Sequence, residues 1–322
     1  MYTLKKIGWY LDQYSRLYLY KGNPNLEEEI QSNNNNKIFY FIKNFTEPMT
    51  KANLKMKLKK LNNQEFEDIF NYFENKKWVY KLPYSFDVID QRIKNFVDCY
   101  PNITYTDYLK KIDKITVLIL GLGTGGSYLI DILSKLGISK FIIIDGDTVE
   151  RKNLRAQNYV LEDIGKYKGQ VLKYNYENNF PKMNIDFINK RINSYDELES
   201  YVDLNKVSYF INCADDFELQ ISIVDSLFKK YPDIQMFYGG YSFLIHSDTL
   251  ITKYNYKELM NTALKQKKSI ERSNYISENA GSIFNGYLSA YIISKLIFNS
   301  VILNKNYNTV VGNLYDDEYL FR

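Results

Sequence analysis

Two spacings of apolar residues alternate along most of this chain. Short, mainly apolar runs at residues 115–120 and 141–144 have the length of strands buried on both faces, and residues 185–188, 207–213 and 235–238 also read as strands. Between them, residues 128–136, 165–178, 195–202 and 217–230 carry apolar positions at helical spacing. Strands alternating with helices predict an α/β fold built on a doubly wound, mostly parallel sheet. Further on, residues 279–298 predict a long helix entered through Asn-Ala-Gly-Ser, and residues 309–321 a closing hairpin.

The pattern before residue 86 is different. Residues 1–85 read as a small separate α+β domain. Aromatic-rich alternation at 2–9 and 16–20 predicts strands, and 23–36 a polar loop. Helices are expected at 37–44, at 50–58 with Thr50 as N-cap, and at 63–75. Phe66, Ile69, Phe70 and Phe73 form one face of the third helix, and 78–82 reads as a strand. The order is winged-helix-like. The polar side of the third helix is acidic, which disfavours a nucleic-acid contact. Residues 86–113 are expected to be a linker with a crossing helix, and 114–322 the second domain.

The first buried run opens onto Gly121, Gly123, Gly125 and Gly126, then onto a helix that Gly137 should close. Such glycines let a backbone approach a phosphate, and the N–H groups of the new helix point at the anion. Asp145, directly after the next buried run, is placed to hold ribose hydroxyls. Strand, turn, helix, strand and acid in this order predict a nucleotide site. An NAD enzyme, or a glycine turn kept only for packing, is the competing reading.

Composition narrows the chemistry. A net charge of +4, from 42 basic and 38 acidic residues, is too balanced to point to nucleic acid as a partner. The two cysteines, Cys99 and Cys213, form no C-x-x-C pair, which excludes a four-cysteine zinc site. His246 is the one histidine, expected to be an ordinary loop or strand-end residue rather than part of a triad. No signal-peptide pattern and no window of membrane-span length is read, so a cytoplasmic location without membrane contact is expected.

Behind the glycine turn, three more motifs follow in order. They are Asp145-x-Asp147-x-Val149-x-x-x-Asn153-Leu154-x-x-Gln157, Ile164-Gly165-x-x-Lys168 and Cys213-Ala214-Asp215-Asp216. Together they resemble the E1-like adenylating enzymes of the ThiF/MoeB type, over residues 88–300. The resemblance implies a Rossmann-like adenylation domain, a homodimer, and use of ATP or another nucleoside triphosphate with Mg²⁺. It implies adenylation of a C-terminal carboxylate with release of pyrophosphate. By the same resemblance Asp145, with Asp147 in its motif, would hold the ribose. Asn153, Arg155, Gln157 and Lys168 would surround the phosphates, Asp215 would hold Mg²⁺, and Arg92 would reach into the partner's site. This chain departs from the family in the position of Arg155, one place from the usual Arg-Gln pair. It also lacks the family's zinc-binding cysteine pairs, so no zinc is expected, and a cysteine placed for a thioester.

The N-terminal domain resembles a peptide clamp or leader-recognition element. The nearest relatives by that architecture are the microcin C-type peptide nucleotidyltransferases, which finish with a P–N-linked nucleotide. That likeness implies a short ribosomal peptide as substrate, bound by strand addition to a sheet edge. Gly240 and Tyr241 would lie beside its acyl end. An E1-like activator of a ubiquitin-like sulfur carrier and a non-catalytic leader-binding scaffold are the alternatives.

Overall fold

The computed structural model describes residues 1–5, 8–19, 28–84, 86–100, 102–242, 245–272, 281–303, 309–313 and 318–321. The chain divides into two compact units, Met1–Lys111 and Ile112–Arg322.

The first unit contains β1 (Tyr2–Leu4), β2 (Trp9–Leu11), β3 (Leu17–Leu19), β4 (Glu28–Ile30), α1 (Asn35–Asn44), α2 (Lys51–Lys57), α3 (Asn63–Asn75), β5 (Val79–Lys81), α4 (Gln91–Asp98) and α5 (Tyr105–Ile112). β1 pairs antiparallel with β5, and β2, β3 and β4 form a second antiparallel sheet. Thr50 caps α2 by accepting the Asn53 N–H at 3.1 Å. Asn62 and Glu65 close a reciprocal capping box on α3. The buried face of α3 is Phe66, Ile69, Phe70 and Phe73, packed with Phe41 and Trp78. Of the expected 23–36 loop, residues 23–27 lie outside the described residues. Glu28–Ile30 is instead a strand, and α1 starts at Asn35. Glu-Glu-Ile carries no strand pattern; its pairing with β3 makes it one.

Residues 86–111 fall within this first unit. A buried charge cluster attaches them. Lys5 Nζ donates to the Tyr100 and Ile103 carbonyls at 2.7 and 2.6 Å. Lys94 and Asp98, one turn apart on α4, pair at 2.6 Å, and the Tyr80 hydroxyl donates to Asp98 at 2.8 Å. Lys5, Lys94 and Asp98 are all at most 2 % exposed. Burial lowers the Lys5 pKa to about 8 and raises that of Asp98.

The second unit runs β6 (Val117–Leu120), α6 (Gly126–Lys135), β7 (Lys140–Ile144), α7 (Lys168–Asn179), β8 (Asn184–Ile188), α8 (Tyr195–Tyr201), β9 (Tyr209–Asn212), α9 (Phe217–Lys230), β10 (Gln235–Ser242), β11 (Ile245–Ile251), α10 (Tyr256–Arg272), α11 (Ile283–Leu303), β12 (Thr309–Asn313) and β13 (Glu318–Phe321). Among the described residues the sheet order is β13-β12-β11-β10-β9-β6-β7-β8. Neighbours from β10 to β8 are parallel, and β11, β12 and β13 extend the sheet antiparallel. The doubly wound α/β fold is therefore present. Gly137, at φ +91°, ends α6 with two crossed bonds, Gly137 N–H to Ser134 and Ile138 N–H to Leu133.

Two expectations change, and two elements were not expected at all. β11 and α10 carried no readable sequence signal. Gly239 and Gly240 lie within β10 rather than after it, because β11 continues to pair with them beyond the end of β9. And α11 does have the length and composition of a membrane span, with 21 residues and a mean hydropathy of 1.4. Of its most apolar window, 56 % is buried within the fold, and its buried positions include Asn285, Ser289 and Ser294. It is a core helix packed on α6, β10 and β11. Residues 279 and 280, at its expected entry, lie outside the described residues.

Asp98→Asn should destabilise the first unit by about 3–5 kcal/mol, because it leaves the buried Lys94 unpaired. Both tryptophans, Trp9 and Trp78, lie in this unit, so urea unfolding followed by their fluorescence reports it. The same signal tests pH. The folded Lys5 pKa of about 8 lies below its usual 10.5, so the unfolded chain binds more protons between those values. Stability should rise with pH across that interval and be flat in this respect below it. The difference from Lys5→Met isolates the effect; no difference in slope would exclude it.

Candidate nucleotide site

The strand order reverses between β6 and β9, which is where parallel α/β sheets hold their ligands. Leu120, the last residue of β6, pairs with Ile144 on one side and Asn212 on the other, so three strands end level. A cavity of about 340 Å³ lies across these ends and the end of β8.

The turn after β6 is built for close approach. Gly121 sits at φ +89°, a conformation only glycine adopts easily. A Cβ on Gly126 would lie 2.0 Å from the Gly121 carbonyl oxygen, so the first helical turn folds directly over the end of the strand. Asp145 holds this turn: Oδ2 accepts the Leu122 N–H and Oδ1 the Asp147 N–H, both at 2.7 Å. Burial pushes its pKa above the usual carboxylate range, while the two backbone donors pull the other way. Each oxygen retains a second acceptor site for a ligand hydroxyl. The Tyr159 hydroxyl fixes the other side of the turn through the Leu122 carbonyl, at 2.8 Å.

Lys168 reaches the same place from α7. Residues 147–149 and 165–168 run antiparallel, with the Val149 N–H on Lys166, the Gly165 N–H on Val149 and the Lys168 N–H on Asp147. This pairing explains why the Asp-x-Asp-x-Val and Ile-Gly-x-x-Lys motifs occur together. It buries Lys168 with its Nζ 3.2 Å from Asp147 Oδ2. Gln157 lies beside Gly123, and its Oε1 is buried without a hydrogen-bond partner. A buried polar atom in that condition is normally completed by water or ligand.

From the β9 side come Cys213, Asp215 and Asp216. Asp215 is exposed in the cavity, whereas Asp216 is engaged in capping α9 through the Leu219 N–H at 3.0 Å. Burial, with Asp248 nearby, pushes the Cys213 thiol up to about 12, so it is a neutral thiol at pH 7.

The structure thus gathers Gly121, Gly123, Asp145, Asp147, Gln157, Lys168 and Asp215 around one cavity. Gly125 and Gly126 open α6 behind it. Asn153 is buried nearby, but its Oδ1 accepts the Glu150 N–H at 2.7 Å, and Arg155 is exposed; neither lines the cavity. Gly240 and Tyr241 lie in β10; Gly240 is not among the residues that line the cavity, and the Tyr241 side chain is outside the described residues. Arg92 is exposed on α4 of the first unit. His246 lies in β11, paired with Tyr241 and Gly312, and its side chain is also outside the described residues. Sequence reasoning missed Lys190 and Arg191, which line the cavity from the end of β8. A Lys-Arg pair following the third buried run was the available signal. Tyr159 carried none.

A parallel sheet that reverses order beside a glycine turn, with an acid at the next strand end, defines a nucleotide-binding α/β domain. Residues 100–277, more than half of the chain, match the ThiF family, and the chain belongs to it. It is 29 % identical over 126 residues to ubiquitin-like modifier-activating enzyme 5 of Gallus gallus, a match covering 36 % of this chain and 32 % of that protein. The chain thus spans about a third of the length of that curated relative. Among solved structures it is similar to E. coli MccB with AMPCPP and MccA, at TM-score 0.67 and 18 % identity, covering 100 % of this chain and 96 % of that one. It is also similar to PaaA, at TM-score 0.71 and 15 % identity, covering 98 % and 97 %. At such identities these two likenesses establish the fold.

Gly126→Ala should cost about 1–3 kcal/mol, since the new Cβ meets backbone that must move. Gly240→Ala should cost less than that, because its nearest contact would be the Tyr238 ring at 3.2 Å, a side chain rather than backbone. Thermal melts of the two variants check this; equal losses would mean the turn is not tight.

Proposed function

We propose that this chain is an ATP-dependent nucleotidyltransferase that activates the C-terminal carboxylate of a short ribosomal peptide, on the way to a P–N-linked peptide nucleotide. The observation that carries the reading is the convergence of the glycine turn, Asp145, Lys168 and Asp215 on one cavity. It is supported by an end-to-end likeness to MccB, a microcin C7 biosynthetic enzyme whose structure is also known in complex with N-formylated MccA. In the first step a peptide carboxylate oxygen attacks the α-phosphorus. The bond from that phosphorus to the oxygen bridging it to the β-phosphorus breaks, and pyrophosphate leaves with the electron pair. The product is an acyl-adenylate.

Each residue has a part in this reading. The α6 N-terminus and Lys168 hold phosphate charge, Asp145 takes ribose hydroxyls with its remaining acceptor sites, and Gln157 completes its amide on the ligand. The donor set also fits Mg²⁺, which proteins usually hold through one or two carboxylates plus substrate phosphates. Asp215 would hold it, and the ion would neutralise charge on the leaving pyrophosphate.

The first unit would capture the peptide. β4 is an edge strand of its sheet, and a groove of about 230 Å³ lies between it and α3, lined by Ile30, Ile69, Asp68 and Tyr72 among others. A peptide added to β4 would lay alternate side chains into that groove. A second copy of the chain would dock on the exposed Phe284, Tyr287 and Tyr291 of α11, with Arg92 completing the partner's site. The reaction would take place in the cytoplasm.

A second reading, activation of a ubiquitin-like protein, is favoured by the similarity to ubiquitin-like modifier-activating enzyme 5. ATP–pyrophosphate exchange separates the two. Short synthetic peptides with a free C-terminus should drive exchange, and mass spectrometry after incubation with each nucleoside triphosphate should find a nucleotide-bearing peptide. Exchange driven only by a folded ubiquitin-like protein would favour the second reading. Asp215→Ala and Lys168→Ala should each reduce peptide-driven exchange about 100-fold or more. Tyr72→Ala and Asp68→Lys should raise the peptide KM about tenfold and leave the ATP KM unchanged. An equal rise in both would argue against capture by the groove.

A further inference from the structure

The lysine that faces the cavity already has a partner. Lys168 Nζ lies 3.2 Å from Asp147 Oδ2, with the lysine side chain 7 % exposed and the aspartate side chain 68 % exposed. Neither residue is placed by that ion pair. The Asp147 N–H is bound to Asp145, its carbonyl accepts the Lys168 N–H, and the flanking segments are paired as described. The backbone therefore presents a carboxylate to the ammonium on the cavity wall, where a ligand's phosphate would otherwise be the partner.

We propose that Asp147 is a resident counter-anion of Lys168, which the phosphate of a binding nucleotide must displace from that ammonium. This rests on the nucleotide reading of the cavity. A buried ammonium without a counter-charge is costly, and Asp147 offsets that cost while no ligand is present. A phosphate oxygen arriving at Lys168 meets a carboxylate on the same nitrogen, and like charges at such range repel. Asp147 therefore lowers nucleotide affinity and sets a threshold for it. A lone anion gains little by exchanging with it. A triphosphate has the α6 N-terminus as well, and outcompetes it.

The direction of the effect is diagnostic, since damage to the site would weaken binding and loss of a competitor strengthens it. Asp147→Asn keeps the backbone bonds and offers Lys168 a neutral amide oxygen. Calorimetry on the full chain, in buffer without Mg²⁺, should find AMPCPP bound roughly three- to fivefold more tightly by Asp147→Asn than by the unaltered protein. Asp147→Glu should stay near the unaltered affinity. In a Lys168→Met background the gain should vanish, because it acts through that ammonium. Unchanged or weaker binding by Asp147→Asn, or a gain that persists without Lys168, would overturn the proposal. If the unaltered protein does not bind AMPCPP at all, the nucleotide reading itself fails.

Discussion

One carboxylate organises the second unit's working end. Asp145 follows the last residue of β7, and its two oxygens bind two different pieces of backbone, the turn after β6 and the loop that returns to α7. The turn is tight, since its helix starts directly over the end of the strand. Without Asp145 the Leu122 N–H would lose its acceptor, and an unmet buried donor is expensive. The same residue that makes the turn rigid retains acceptor capacity for a ligand, so scaffold and recognition share one side chain.

From that point the wiring spreads through main chain. The Asp147 N–H donates to one Asp145 oxygen and its carbonyl accepts the Lys168 N–H, and residues 147–149 pair with residues 165–168. A lysine held by backbone in this way loses little freedom when a ligand arrives, which is what preorganisation means energetically. Asp145, Asp147, Asp215 and Asp216 make much of the wall acidic, and the cationic side chains Lys168, Lys190 and Arg191 stand against them. An anionic ligand would therefore meet carboxylates as well as cations there, and on the proposal above its binding to Lys168 would be an exchange of partners.

The first unit uses buried charge differently. Lys5, Lys94 and Asp98 are enclosed and hydrogen-bonded, and they tie β1 and β5 to α4 and to the 100–103 segment. Apolar residues of similar size would hold those elements at least as firmly. What the charged set adds is a demand for specific partners at specific carbonyls, which a purely apolar contact would not impose.

The parallel strands, their helices and the glycine turn were legible because local patterning dictates them, and Asp145, Lys168 and Asp215, which line the cavity, stood out through short motifs. The family was legible for the same reason, since its motifs are short and ordered. What the sequence could not specify were features defined by a neighbour far along the chain. β4 is a strand because β3 lies beside it, Gly239 and Gly240 belong to β10 because β11 extends past β9, and residues 86–111 join the first unit because Lys5 reaches two carbonyls about a hundred residues away. Arg155, read from its motif, is exposed off the cavity, while Lys190 and Arg191 line it from β8. Local patterning determined which segments are strands, which are helices and which loop could cradle a phosphate. Only the tertiary structure decided which side chains share the cavity, because strand order and burial are properties of pairs of segments and cannot be written in either one alone.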